Sequence, residues 1–150
     1  MKILYGDILK LCKEGAILQQ VNCQSAMGAG LAKNIMVKYP IVRKEYMKLS
    51  RKLKTPENRL GTLQEVIASY EVSVFNSFTQ LNFGNARKTG ICYTNEELLI
   101  KNIMEFDKIC KDRNIQGYVP LLIGCELAGG NPDKIKKALE NTELNVVIYK

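Results

Sequence analysis

The sequence predicts an α/β fold in three layers, α/β/α, with a mixed central sheet and helices on both faces. Two observations carry this expectation. Strand-like and helix-like segments alternate along the chain, and the strand-like ones, "GYVPLLIG" above all, are too continuously apolar to face water. The length of 150 residues suits one domain with a real core, so residues 1–150 are expected to fold as a single unit.

The elements follow in order. "KILYG" reads as a short strand and "AILQQVN", Ala16 to Asn22, as a second. A helix is expected from about Leu31 to Tyr39. There Pro40 interrupts it and serves as the first residue of the next. In that next helix Val42, Tyr46, Leu49 and Leu53 recur at helical spacing and form one apolar face. "TPENRLG" reads as a loop, and "TLQEVIAS" and "EVSVFNSF" as two strands. "TNEE" has the form of a capping box, with Thr94 as N-cap and Glu97 three residues on. The helix it opens buries Leu99, Ile103, Phe106 and Cys110. "GYVPLLIG" is a buried strand. "NPDKIKKALENT" is a helix capped by Asn131, with Pro132 in the first position and Asp133 at its positive end. "NVVIYK" is the last strand.

Composition excludes several function classes. Hydrophobic residues make up 46% and charged residues 25%, a soluble balance, and no run reaches the length of a membrane helix. The start "MKILYGDI" has no apolar signal core, so a cytoplasmic protein, and a monomer, is expected. Five cysteines are scattered without a CxxC pair and there is no histidine, which argues against a metal site and for reduced, buried thiols. Lys and Arg number 22 against 15 Asp and Glu, a net charge of +7 that favours anionic partners without naming one.

Two glycine loops offer the chemistry. "NCQSAMGAGLAKN", Asn22 to Asn34, leaves an apolar strand and enters a helix. Gly28 and Gly30 have no side chain to keep a ligand from the backbone, and the helix points free N–H groups back at the loop. Alone this is also the pattern of a tight strand-to-helix turn; it is neither GxGxxG nor a P-loop. "IGCELAGGN", Ile123 to Asn131, repeats the arrangement. Two such loops could grip a diphosphate from both sides.

These residues, with "GDI" at Gly6 to Ile8, "NSFTQ" at Asn76 to Gln80 and the terminal "VVIY", resemble the macro domain, an ADP-ribose-binding family, over nearly the whole chain. The resemblance implies that Asp7 selects adenine with Ile8 beside it, and that Asn22 lies near the distal ribose. It further implies that Met27, Gly28, Ala29, Gly30, Leu31 and Ala32 form the first phosphate and ribose loop. Ile123, Gly124, Cys125, Glu126, Leu127 and Ala128 would form the second, over the diphosphate. Phe78 and Tyr149 would be apolar walls for the distal ribose and the adenine, with Thr79 and Gln80 beside them. Binding in the family needs no metal or cofactor. Each role has a plain rival: Asp7 as cap of a short helix over Ile8–Lys13, Asn22 satisfying strand-end backbone groups, Tyr149 and Phe78 as ordinary packing.

The first loop is similar to branches that remove phosphate from ADP-ribose 1″-phosphate or cleave ADP-ribose from protein carboxylates or DNA bases. The sequence departs from each. Where the DNA-base and carboxylate branches carry a lysine after the threonine, this chain has Gln80, which can neither form a Schiff base nor act as a general base. Ala128 stands where the carboxylate branch places an aspartate, and Gln19 stands in the region of a phosphatase histidine. Glu126 occupies a usual glycine position, either as an unusual acid or base or as a surface side chain. Cys125 lacks a histidine to activate it. The expectation is a domain that binds ADP-ribose and hydrolyses ADP-ribose 1″-phosphate, with Asn22 as catalytic positioner. The alternatives are a non-catalytic reader module or a hydrolase acting on ADP-ribosylated protein or DNA. The basic helix over 40–54 reads as a solvated surface or, as the rival, a nucleic-acid contact; no aromatic residues interleave with its lysines.

Overall fold

The computed structural model describes residues 1–150. Its elements are β1 (Lys2–Tyr5), α1 (Ile8–Leu11), β2 (Gly15–Asn22), α2 (Gly30–Lys38), α3 (Pro40–Lys52), α4 (Pro56–Arg59), β3 (Leu63–Ile67), β4 (Val72–Gln80), α5 (Ala86–Thr89), α6 (Glu96–Arg113), β5 (Gly117–Pro120), α7 (Pro132–Leu139) and β6 (Asn145–Ile148). The strands form one sheet in the order β1-β6-β5-β2-β4-β3. All neighbours are parallel except β3, which runs antiparallel to β4 at one edge. The three-layer mixed fold expected from the sequence is the one present.

β2 shows why the sheet must be covered twice. Ala16 and Leu18 point into one cluster with Phe75, Val119 and Val146, beneath Leu99, Ile103 and Phe106 of α6 and Ile135 and Leu139 of α7. Ile17 and Val21 point into the other, with Val74 and Phe78, beneath Ile35 of α2 and Val42 and Tyr46 of α3. A strand apolar on both faces has no side for water, so helices pack on each. The Phe75 and Phe106 rings meet edge to face at 5.1 Å, and Tyr46 stacks on Phe78 at 5.3 Å.

Three local expectations are corrected. "TPENRLG" is not all loop: the Thr55 hydroxyl accepts from the Asn58 N–H at 3.2 Å, Pro56 takes the first position, and α4 forms. The cap of α6 is Asn95, not Thr94. The Asn95 side chain accepts from the Leu98 N–H at 3.1 Å, whereas the Thr94 hydroxyl donates to the Gly124 carbonyl at 2.6 Å. And β5 ends at Pro120, because the chain turns there: the Ile123 N–H reaches back to the Pro120 carbonyl and Cys125 to Leu122. The run "LLIG", of which only Ile123 is buried, is therefore turn, and it carries the second glycine loop away from the sheet.

Charge is unevenly paired. On and around α6, Lys108 pairs with Asp112, Lys111 with Asp107 and Arg113 with Glu65. No cation of α3 has a carboxylate within ion-pair distance.

Candidate functional site

The five parallel strands end on the same side of the sheet, and a cleft of about 1020 Å³ lies across those ends. This is where open α/β sheets take ligands. From β1 to β4 the strand ends step across four spacings, about 19 Å.

Most of the residues named from the sequence come together here: Asp7 and Ile8 after β1, Asn22 at the end of β2, Met27 through Ala32, Gln80 at the end of β4, Ile123, Gly124, Glu126, Leu127, Ala128, and Tyr149 after β6. Three do not line it. Phe78 is fully buried against Tyr46 on the α3 side of the sheet. Thr79, also buried, points to the opposite face and donates to Gln20 Oε1 at 2.8 Å. The Cys125 thiol turns back on the Ile123 carbonyl, and burial pushes it up to about 11, so it stays protonated and is no nucleophile at neutral pH.

Backbone amides make the cleft's polar surface. α2 has no side-chain cap, and none of the N–H groups from Met27 to Ala32 finds an acceptor within the chain. In the second loop the amides of Gly124, Glu126, Leu127 and Ala128 are equally unpaired. The two sets border the same cleft. No Lys or Arg lines it at all, although the chain carries a net charge of +7; its only ionisable side chains are Asp7, Glu126 and Tyr149. Any anion there would be held by oriented dipoles rather than by cations.

The side chains each have a definite state. One oxygen of Asp7 caps α1 through the Leu9 N–H at 2.9 Å, and the other has no partner in the chain. The cap and a ligand contact are therefore compatible. The Asn22 amide folds its own loop. Nδ2 donates to the Ala26 carbonyl at 2.7 Å, while Oδ1 accepts from the Gln24 and Ala26 N–H groups and the Tyr46 hydroxyl. These bonds orient the amide and leave one N–H of Asn22 for a ligand. Glu126 is exposed on the second loop. Tyr149 lies beyond the end of β6 and is 82% exposed, so it rims the cleft rather than packing in the sheet.

Sequence reasoning missed Gln20, Phe83, Asn85 and Leu122 as lining residues. Gln20 had a signal, a polar side chain in the same alternating register as the apolar Ala16 and Leu18. Phe83, 58% exposed beside the cleft, had none, because its loop carries no periodic pattern. No three His, Cys, Asp or Glu side chains lie close enough together to hold a metal ion.

No family model and no curated protein matches the sequence. Solved structures do. A protein of unknown function from Bacteroides thetaiotaomicron superposes with a TM-score of 0.83 at 22% identity, over 99% of this chain and 98% of that one. A macrodomain protein from Streptomyces coelicolor does so with a TM-score of 0.76 at 16% identity, over 99% of each. Thermosipho africanus DarTG in complex with ADP-ribose matches with a TM-score of 0.71 at 18% identity, over 99% of this chain and 41% of that longer one. At these identities the likeness is one of architecture, and the architecture of this chain is the macrodomain fold.

Proposed function

We propose that the cleft binds ADP-ribose. Adenine sits at the β1 end against Ile8, its exocyclic amine donating to the free oxygen of Asp7. The diphosphate lies between the two glycine loops. The distal ribose reaches the β4 end beside Asn22 and Gln80. One observation carries this reading: two sets of unpaired amides, one on each glycine loop, border a single cleft lined by no Lys or Arg. That arrangement suits a diphosphate between two neutral, flat or hydroxylated ends. The ADP-ribose held by the Thermosipho neighbour supports it. Calorimetric titration with ADP-ribose tests it, and no heat of binding at millimolar ligand would sink it.

Hydrolysis of ADP-ribose 1″-phosphate is the second reading, and Glu126 is what favours it. It is the one carboxylate on the second loop, so it could take a proton from a water attacking phosphorus as the P–O1″ bond breaks, O1″ drawing its proton from solvent and Glu126 losing its own to solvent as inorganic phosphate departs. Asn22, already hydrogen-bonded into its loop, then acts by holding the loop in shape. Gln80 supplies no nucleophile for cleaving ADP-ribose from protein or DNA. Phosphate release by wild-type protein, abolished in Glu126→Gln, would support the reading; release unaffected by that change would refute Glu126 as the base.

A further inference from the structure

We infer that the β4 end of the cleft reads a hydrogen-bond acceptor on whatever is attached to the distal ribose, through the amide nitrogen of Gln80. The inference rests on the placement of ADP-ribose above. It comes from a chain of hydrogen bonds whose directions follow from one fixed acceptor, the Gly124 carbonyl.

The chain starts at the Gly124 carbonyl, which can only accept. The Thr94 hydroxyl therefore donates to it, at 2.6 Å. A hydroxyl has one proton, so Thr94 Oγ1 must accept from Gln20, and the atom 3.0 Å away must be Gln20 Nε2. The same NH₂ group reaches the Gln80 side chain at 3.1 Å, so the atom facing it must be Oε1. The other end of the chain agrees. The Asn102 amide donates to Ser77 Oγ at 2.9 Å, Ser77 and Thr79 hydroxyls meet at 3.1 Å, and Thr79 donates to Gln20 Oε1 at 2.8 Å. The orientation of Gln20 fixed at Thr94 is thus one that Thr79 can satisfy as donor.

With Oε1 turned inward, Gln80 Nε2 has no partner in the chain and Gln80 lines the cleft. The unpartnered atom that the side chain offers is therefore a donor. A hydroxyl substituent needs no such selection, but phosphoryl or acyl oxygens can only accept and match it. No carboxylate borders this end of the cleft other than exposed Glu126 to oppose an anionic group. Thr94 and Gln20 act here as positioning residues: through their hydrogen bonds they determine which atom of Gln80 is left free.

The test is a ratio of affinities. Wild-type protein and the variants Gln80→Leu, Gln80→Glu, Thr94→Val and Thr94→Ser are titrated with three probes. These are ADP-ribose, ADP-ribose 1″-phosphate and ADP-ribose carrying an acyl ester on the distal ribose. Wild type should prefer the phosphate over ADP-ribose about tenfold, the scale of one hydrogen bond to a charged group. Gln80→Leu should bring the preference to about one and Gln80→Glu should invert it. Thr94→Val should reduce it, because Gln20 is then free to turn over, and Thr94→Ser should restore it. A preference for the acyl ester as well marks any oxygen acceptor as the target; a preference for phosphate alone narrows it to phosphoryl groups. A wild type without preference for either, or a Gln80→Leu protein that keeps it, overturns the inference. ADP-ribose binding with no preference refutes this inference alone, whereas no ADP-ribose binding refutes the proposed function and this inference with it.

Discussion

The Tyr46 hydroxyl lies 2.7 Å from the backbone carbonyl of Asn22 and 3.1 Å from its side-chain carbonyl. One buried phenol thus ties the α3 layer to the end of β2, where the first glycine loop begins. Burial pushes its ionisation above the ordinary tyrosine range, so it is a donor at neutral pH. Tyr46→Phe keeps the stacking on Phe78 and removes only the hydroxyl. It should lower stability by about 1–3 kcal/mol, because the Asn22 carbonyl loses a hydrogen bond whose single proton also faces the Asn22 side-chain oxygen. It should also weaken ADP-ribose binding. Chemical denaturation and calorimetry measure the two effects, and a variant unchanged in both would show that the loop holds its shape without the phenol.

Asn22 is expected to act on binding rather than on turnover. Its side chain joins four groups of its own chain, from Ala26 and Gln24 to Tyr46. Asn22→Asp keeps the acceptor but sets an anionic oxygen against the Ala26 carbonyl, so ADP-ribose affinity should fall by about tenfold or more. If any phosphate release from ADP-ribose 1″-phosphate is measurable, KM should rise in Asn22→Ala with kcat little altered. A fall in kcat at constant KM would return Asn22 to a direct role in chemistry.

The second loop depends on Gly124. Its φ is +72°, and a Cβ there would lie 2.7 Å from Leu99 Cδ2 and 3.1 Å from both Gln20 Oε1 and Thr94 Cγ2. Strained backbone and core contact add, and Gly124→Ala should cost about 2–4 kcal/mol in a denaturation experiment. Because the added methyl also crowds Gln20 and Thr94, the variant should disturb the orientation of Gln80. A stability within about 0.5 kcal/mol of wild type would mean that Leu99 and the loop can move apart freely.

The large features of the fold were legible in the sequence because they follow from patterns along one stretch of chain. The periodic inner face of α6 and the two-faced apolarity of β2 are of this kind. Both glycine loops were also legible, since loop position and missing side chains are local facts. The misassignments share a different cause. Thr94 and Asn95 are both good caps, and only the position of Gly124, thirty residues on, decides that Thr94 is used elsewhere. Phe78 looked available as a ligand wall, but the side that it faces depends on strand register and on Tyr46 from another helix. Gln20 and Gln80 are 60 residues apart and meet only when β2 and β4 pair.

Acid stability should carry the mark of Glu65. Its carboxylate takes two hydrogen bonds from Arg113, at 2.6 and 2.9 Å, and these hold it below the usual carboxylate range. A folded pKa below the unfolded one means that the pair stabilises the fold above the unfolded value of about 4.3, and that this contribution is lost as pH falls through the lower folded pKa. The pair is partly exposed, so Glu65→Gln should lower stability at pH 7 by only about 0.5–1 kcal/mol. The gap to wild type should close at the acid end of a pH series of denaturation curves. A gap that stays constant from pH 7 to pH 3 would show that the loss arises from packing instead of charge.

Salt separates the two anion-attracting surfaces of the molecule. The cleft contains no Lys or Arg, so ADP-ribose would meet amide dipoles and release few ions from the protein on binding. The α3 surface is the reverse, a helix with Arg43, Lys44, Lys48, Arg51 and Lys52, none of them ion-paired. ADP-ribose affinity should therefore change by less than about threefold between 50 and 200 mM salt, the range over which a protein holding several phosphates by cations loses orders of magnitude. The charge-reversing pair Arg43→Glu and Arg51→Glu should leave that affinity nearly unaltered, since both side chains lie outside the cleft and long-range attraction is screened within about 10 Å at these salt concentrations. A steep salt dependence of ADP-ribose binding, abolished by the same two substitutions, would place the ligand on α3 and take it out of the cleft.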